Sequence, residues 1–476
     1  MGQEIGRARF GSDDFSVFRQ RLRDETRLLG EWLRAGRVAQ GAPSIGLELE
    51  AWLVDAQGRP APVSDRVLSR VEDERVENEL ARFNLEINTD VHALAGSSLQ
   101  ALQAELAGRW ARAQQAASEA GCRVALVGIL PSVREADLCL SNMTPSPRYA
   151  ALNEQVLALR GRQPLTLDIE GAERFRTERH DVMLEAATTS LQLHLQVPPQ
   201  RIAAFFNAAV ALSAASVAVA ANSPLLFGRR LWQESRIPLF EQAVACTRLE
   251  PRGAGTLARV GFGSGYARDA LYGFFVENRQ HHPVLLPVLQ DTPVEALAHL
   301  RLHNGTIWRW NRPLVDVVDG RCQLRLEHRV MAAGPTLADV LANAAFFYGA
   351  VAELAESRPG LVEELPFHIA EQNFYAAARY GLDAEVEWLD GWFGRLGDLV
   401  AERLLPKARR GLVRAGVAEA EATAHLRVVE ERVASGRTGA DWQLAWMERH
   451  GDDNQALTRA YLDRAADGEP VHRWPL

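Results

Sequence analysis

Cysteine is scarce in this chain of 476 residues, which has four. Cys122, Cys139, Cys246 and Cys322 lie far apart and no C-x-x-C occurs. That pattern signals neither a zinc site nor a redox pair and fits a reducing cytosol. The G-x-x-x-x-G-K-[ST] pattern is missing, so no P-loop is read. The first residues, MGQEIGRARFGSDDF, contain no apolar h-region, so no secretory signal is read. Clustered basic residues are missing as well. The net charge is −8 and the positive charge is mostly scattered arginine, which gives no nucleic-acid footprint. Neither an internal repeat nor a low-complexity linker occurs. One uncharged stretch is long enough to cross a bilayer: IAAFFNAAVALSAASVAVAA, residues 202–221. It is rich in alanine and carries Asn207, Ser213 and Ser216, which points to a helix buried inside a large domain and away from any membrane.

What remains is an ordinary globular composition, 47% hydrophobic and 24% charged, enough for one large domain or two. Phe15, Phe18, Leu22 and Trp32 recur at helical spacing before Gly36. A strand is expected at residues 44–54, a long helix ending at Gly121, and an apolar strand in CRVALVGIL. TTSLQLHLQV reads as a strand, and GTIWRWNRPLVDVVDGRCQLRLEHRVM as two strands joined at Asp319-Gly320. From Pro335 onward the pattern is mostly helical, with a weak boundary near residue 380 that either sets residues 381–476 apart from a catalytic region 1–380 or leaves them within the same domain. Without a regular βαβα alternation, the pattern favours an α+β fold. Its sheet would be antiparallel, with one face on helices and one open.

Three of these strands carry functional groups on one face. Glu48 and Glu50 share a face of SIGLELEAWLVD, while Ile45, Leu47, Leu49 and Ala51 point the other way. Ser190, Gln192, His194 and Gln196 oppose Leu191, Leu193, Leu195 and Val197. Arg325, Glu327 and Arg329 alternate with Leu324, Leu326, His328 and Val330. Glu79 and Glu86 stand seven apart, and Glu86 shares a face with Asn88 if that stretch is extended. Taken singly, Glu-x-Glu is a solvated face and a strand histidine is structural. The nearby Glu72, Asp73, Glu74 and Glu77 read as an exposed acidic run with no role. In conjunction, five carboxylates on one surface repel unless a cation sits among them. Such oxygen-rich groups suit Mg2+ or Mn2+ over zinc.

GLELEAWLVD, ELARFNLEINT, TTSLQLHLQV, ANSPLLFGRRLWQESR and RLEHRV occur in that order, and together they resemble the glutamate–cysteine ligase type 2 family of carboxylate–amine ligases. The likeness runs over residues 44–345. It implies a glutamine synthetase-like fold with the active site on the concave face of a curved antiparallel sheet. It also implies ATP and Mg2+ (or Mn2+) as cofactors. Glu48 would share one ion with Glu79 and Glu86, and Glu50 a second with His194 and Glu327. Arg329 matches an arginine beside the transferred phosphate, and Asn222 and Arg236 fall in a segment on the substrate side. The implied chemistry joins a carboxylate, glutamate by family, to an amine through an acyl phosphate. Two alternatives stand beside it: another metal- and ATP-dependent enzyme on this fold, such as a guanidino kinase, or a non-catalytic binding or regulatory member. The glycine-rich stretch 253–265 is a candidate lid over the site.

Overall fold

The computed structural model describes residues 5–246, 257–268 and 270–476. Its centre is one long strand, β1 (Ser44–Asp55). Around it lie β2 (Val76–Asn78), β3 (Asn84–Asn88), β4 (His92–Ala93), β5 (Cys122–Ala125), β6 (Ser190–Gln196), β7 (Asn311–Val318) and β8 (Arg321–Ala332). The main path runs β7-β8-β6-β1-β3-β2, with β4 and β5 paired to the two ends of β1. Every pairing in this sheet is antiparallel. The expected hairpin closes at Asp319 and Gly320, both left-handed at φ 49° and 68°. Two such residues give the turn whose twist matches that of the flanking strands.

The apolar strand faces form the core, as their alternation predicts. Leu191, Leu193, Leu195, Leu47 and Leu49 are buried, each contributing roughly 1.5–3 kcal/mol of burial. Two apolar helices cover this face: Ile202–Val219 and Leu337–Ser357, each 89% buried over its most apolar stretch. The first is the uncharged stretch read as a buried helix. The second carries Tyr348, whose hydroxyl donates to the Gly46 carbonyl at 2.8 Å, and Phe347, which stacks on His328 at 4.1 Å. His328 therefore belongs to the back of the sheet, where Nδ1 lies 2.7 Å from Asn311 Oδ1.

The N-terminal helix Ser12–Arg34 buries Phe18, Leu22 and Trp32, and Gly36 follows it at φ 66°. Helix Ser98–Glu119 ends before Gly121 at φ 81°, as read. Asp73 is bound by Arg109 and Arg112, so part of the acidic run holds this helix. Of the glycine-rich stretch 253–265, residues 253–256 lie outside the described residues. Val260–Gly261 in its remainder pairs in parallel with Trp308–Arg309.

Beyond residue 380, helices Leu405–Ala415 and Glu419–Ser435 pack on helix Leu337–Ser357. Gly349 and helix Leu405–Ala415 touch backbone to backbone, since a Cβ at Gly349 would lie 2.2 Å from the Ala408 carbonyl oxygen. In helix Glu419–Ser435, Arg432 is 1% exposed. It binds Asp339 at 2.7 Å, Asn343 at 2.6 Å and the Val219 carbonyl at 2.8 Å. Removing it strands a buried carboxylate. Arg432→Ala is expected to cost about 3–5 kcal/mol of stability, read as a large fall in denaturation midpoint.

Candidate active site

Strand register sets the site. Glu50 lies directly opposite Glu86 across β1 and β3, and Glu48 lies opposite Asn88 on one side and Gln192 on the other. Across β6 and β8, His194 is opposite Glu327, and across β7 and β8 Glu327 is opposite Arg312. Gly46, opposite His194 on β1, offers no side chain. The imidazole leans to Glu48, with Nε2 3.0 Å from Oε1. Glu79 follows β2, where its Oε2 accepts from the Leu80 amide at 3.1 Å. Asn88 donates to Glu86 at 2.9 Å, so the extended reading of that stretch holds.

All six residues with metal-ligand chemistry meet on one face, in two groups. Glu48, His194 and Glu327 form one and Glu50, Glu79 and Glu86 the other, with the ligand atoms of each group within 4.8 Å of one another. This corrects the partition carried over from the family resemblance, which put Glu48 with Glu79 and Glu86 and Glu50 with His194 and Glu327. The cause is geometric. Glu48 and Glu50 stand roughly 7 Å apart along β1, so each meets different neighbours. Glu50 sits opposite Glu86 and is held by the Ser190 amide and Gln192 near the start of β6, whereas Glu48 leans to His194 further along β6.

The two groups differ in charge balance. Burial, then repulsion from Glu86, raises Glu50 to about 7. Burial with Glu50 and Glu185 raises Glu79 to about 7, and burial with Glu48 and Glu79 raises Glu86 to about 8. Glu327 goes the other way. Its burial opposes ionisation, yet Arg312 and Arg329 hold it at about 2. Arg312 forks onto it at 2.5 and 2.7 Å, and Arg329 lies 3.5 Å away.

Both donor sets fit hard divalent cations. The first is all carboxylate with its three acids pushed up, the condition under which Mg2+ or Mn2+ would stabilise buried acids. The second adds one imidazole, whose Nδ1 is buried without a hydrogen-bond partner among the described residues.

Arg329 enters this face through a bulge. The β6–β8 register shifts between His328 and Met331, so Arg329 and Val330 together oppose Gln192. Arg329 donates to Gln192 Oε1 at 2.6 Å, and Gln192 donates to Glu50 Oε1 at 2.8 Å. An unbroken polar chain thus runs from Glu50 through Gln192, Arg329 and Glu327 to Arg312. Arg236 is 1% exposed behind it. Its guanidinium contacts Glu234 at 3.3 Å and the Arg329 carbonyl at 3.5 Å, which makes it a support for Arg329 and not a surface facing the cavity. Asn222 is elsewhere. It is 0% exposed, donates to the Ala333 carbonyl and the Tyr461 hydroxyl at 2.8 Å each, and accepts from Gln443 at 3.0 Å. The expectation that Asn222 lines the substrate side is thereby corrected: its polar atoms are spent joining the sheet to the C-terminal helices.

Three neighbours of the site escaped the sequence reading. Arg312 carried a usable signal, because a two-residue turn at Asp319-Gly320 pairs 318 with 321 and, counted back, 312 with 327. Gln192 stood on the correct face but had no assigned partner. Glu185, in a short turn outside any strand, is raised to about 8 by burial and by Glu50, and no periodicity marks it.

A cavity of about 580 Å³ opens beside the Glu48, His194 and Glu327 group. Five arginines line it: Arg75, Arg148, Arg301, Arg312 and Arg325.

A family model described as glutamate-cysteine ligase family 2 matches residues 44–461. The chain belongs to this family. The match runs well past the segment in which the likeness was first legible and takes in most of the C-terminal helices. A search of curated proteins finds no match. Among solved structures, the glutamate–cysteine ligase of Francisella tularensis in complex with AMP superposes with a TM-score of 0.50 at 12% identity, covering 92% of this chain and 96% of that one. A bifunctional glutathione synthetase from Pasteurella multocida gives a TM-score of 0.53 at 12% identity, covering 93% of this chain and 55% of that one. The expected class, an α+β glutamine synthetase-like fold on a curled antiparallel sheet, is the fold observed.

The raised acids make a prediction about pH. Glu50, Glu79 and Glu86 titrate from about 7 to about 8 when folded, against 4.5 as the reference for an unfolded chain. The folded state then holds more protons, so their contribution is full at low pH and is lost as pH rises through the folded values. In chelator, Glu86→Gln is expected to lessen the fall in melting temperature between about pH 6 and about pH 9. Mg2+ or Mn2+ is expected to raise the melting temperature of the unaltered protein more at about pH 8 than at about pH 6. Equal shifts at both pH values would refute the charge imbalance.

Proposed function

We propose that this member of the glutamate-cysteine ligase family catalyses ATP-dependent ligation of a carboxylate to an amine, with glutamate as the acid and a γ-glutamyl amide as the product. The acid's carboxylate oxygen attacks the γ-phosphorus of ATP, the bond to the β,γ-bridging oxygen breaks, and ADP leaves. The amine nitrogen then attacks the acyl carbon of the acyl phosphate, inorganic phosphate departs, and an amide remains once the nitrogen has lost its proton. The observation that carries this reading is the pair of ligand groups on one sheet face, linked by Arg329.

Phosphoryl transfer asks a protein for positioning and charge neutralisation more than for covalent help. Glu50, Glu79 and Glu86 would hold one Mg2+ or Mn2+, and Glu48, His194 and Glu327 a second, and such ions supply neutralisation of the phosphate oxygens. Arg329 presents a planar fork on the same face. Its Nη1 is fixed by Gln192 at 2.6 Å, and the Phe240 ring lies 6.0 Å from its Cζ. A group held in place in this way stabilises charge that develops on the equatorial oxygens without having to reorganise. Arg236 braces the backbone of Arg329 from behind. Water would have to be limited during the reaction, because it hydrolyses an acyl phosphate.

The test is ADP release with Mg2+ and with Mn2+, across amino acids and amines, with the product identified by mass. An amide together with ADP supports the reading. A phosphorylated guanidine, or turnover that survives EDTA, would sink it. Within an active assay, Arg329→Lys is expected to lower kcat by roughly 10²-fold while changing KM for the acid little. A raised KM with kcat kept would make Arg329 a ground-state clamp instead.

A further inference from the structure

Of the five arginines around the cavity, four already hold a carboxylate of the protein. Arg75 pairs with Asp90 at 2.8 Å, Arg301 with Asp316 at 2.7 Å, Arg325 with the same Asp316, and Arg312 with Glu327. Arg148 differs. Among the described residues its guanidinium has no carboxylate at ion-pair distance and no hydrogen-bond acceptor, and its one close partner is the Tyr149 ring, 5.6 Å from Cζ.

Its position is built, not accidental. Arg148 sits in the first turn of helix Pro147–Leu159, where the Ser146 side chain caps its amide at 3.2 Å. The segment leading into that helix is fastened to the stretch that bears Glu79. The Thr144 amide donates to the Leu80 carbonyl at 2.9 Å, the Thr144 hydroxyl to the Glu79 carbonyl at 2.5 Å, and the Tyr149 hydroxyl to the Asn78 carbonyl at 3.5 Å. Arg148 is thus held between the cavity and the all-carboxylate group. It is near enough to ease ionisation of Glu79 and Glu185 without touching either. A half-buried guanidinium left with five donors and no acceptor is a receptor for an oxyanion, and its fork matches a carboxylate or a phosphate.

We propose that Arg148 binds an anionic group of a substrate at the edge of the cavity, either a carboxylate of the acid or a phosphate of the nucleotide. The assignment builds on the ligase reading above. Arg148 is in that case a binding residue that fixes the substrate relative to the carboxylate groups, and it supplies specificity to the reaction.

Calorimetric titration of the intact protein with ADP and Mg2+, with L-glutamate, and with pyrophosphate tests it without needing turnover. Loss of a charge-assisted contact is expected to weaken one probe about 10- to 100-fold in Arg148→Ala. Arg148→Lys is expected to restore part of the affinity, and the melting temperature to stay unchanged. Weakened ADP with unchanged glutamate identifies a phosphate, and the reverse identifies the acid's carboxylate. If the unaltered protein binds pyrophosphate through Arg148 but neither ADP nor glutamate, the anion site stands and the ligase reading falls. The inference is overturned if Arg148→Ala leaves every probe's affinity unchanged, if its only effect is a lower melting temperature, or if no anion binds the unaltered protein.

Discussion

Repulsion between buried carboxylates is the constraint on which this structure turns. Glu48, Glu50, Glu79, Glu86 and Glu327 converge on one face of a sheet, and Glu185 stands beside them. An isolated charge in such a place costs several kcal/mol to desolvate, and adjacent like charges raise that cost. The chain meets it in two ways. On the β8 side arginines supply the opposite charge, and Glu327 stays ionised between Arg312 and Arg329. On the β3 side burial and neighbouring carboxylates prevail, and Glu50, Glu79 and Glu86 are all pushed up. A divalent cation would relieve that repulsion.

The rest of the architecture holds that group in place. Carboxylates that repel will splay apart unless the backbone beneath them is rigid, and β1 is fixed from both edges and from behind. It pairs with β3 and β6 along its length and with β4 and β5 at its ends. The hydroxyl of Tyr348 reaches the Gly46 carbonyl from the helix that covers its back. That helix is in turn locked by the C-terminal helices through glycine contacts and through Arg432, so residues far from the site in sequence bear on its geometry. Asn222 belongs to the same supporting layer. It has the chemistry of a ligand contact but the position of a rivet between Ala333, Tyr461 and Gln443.

Much of this was legible in the sequence, for a definite reason. A period of two puts Glu48 with Glu50 and His194 with Gln192 whatever the sheet does next, and the apolar alternate residues fix which face turns inward. The two-residue turn at Asp319-Gly320 fixes β7 against β8, and Arg312 could have been found by counting from it. Which carboxylate meets which depends on register between strands distant in the chain. The grouping of Glu48 with His194 and Glu327 was invisible for that reason, and analogy assigned it the wrong way round. Glu185 lies in a turn that no periodicity marks, whereas alternation put Arg329 on the correct face despite the bulge that begins there. Asn222 misled because its neighbourhood carries family likeness, while its role depends on packing against residues more than two hundred positions away.

The asymmetry between the two groups has a consequence for how a pair of cations would be held. Glu50, Glu79 and Glu86 offer oxygen alone, with like charges already crowded, so a hard ion there relieves repulsion as well as forming bonds. Glu48, His194 and Glu327 offer two carboxylates and an imidazole, and Glu327 is already shared with Arg312 and Arg329. An ion there adds positive charge to a place that has it. On charge grounds the first group would hold a cation more tightly, and the second would hold one well only when further negative charge arrives. Triphosphate oxygens, of the kind the proposed reaction brings, are such a charge. The arginines around Glu327 keep that carboxylate ionised, and under the proposed reaction they would also face the phosphates.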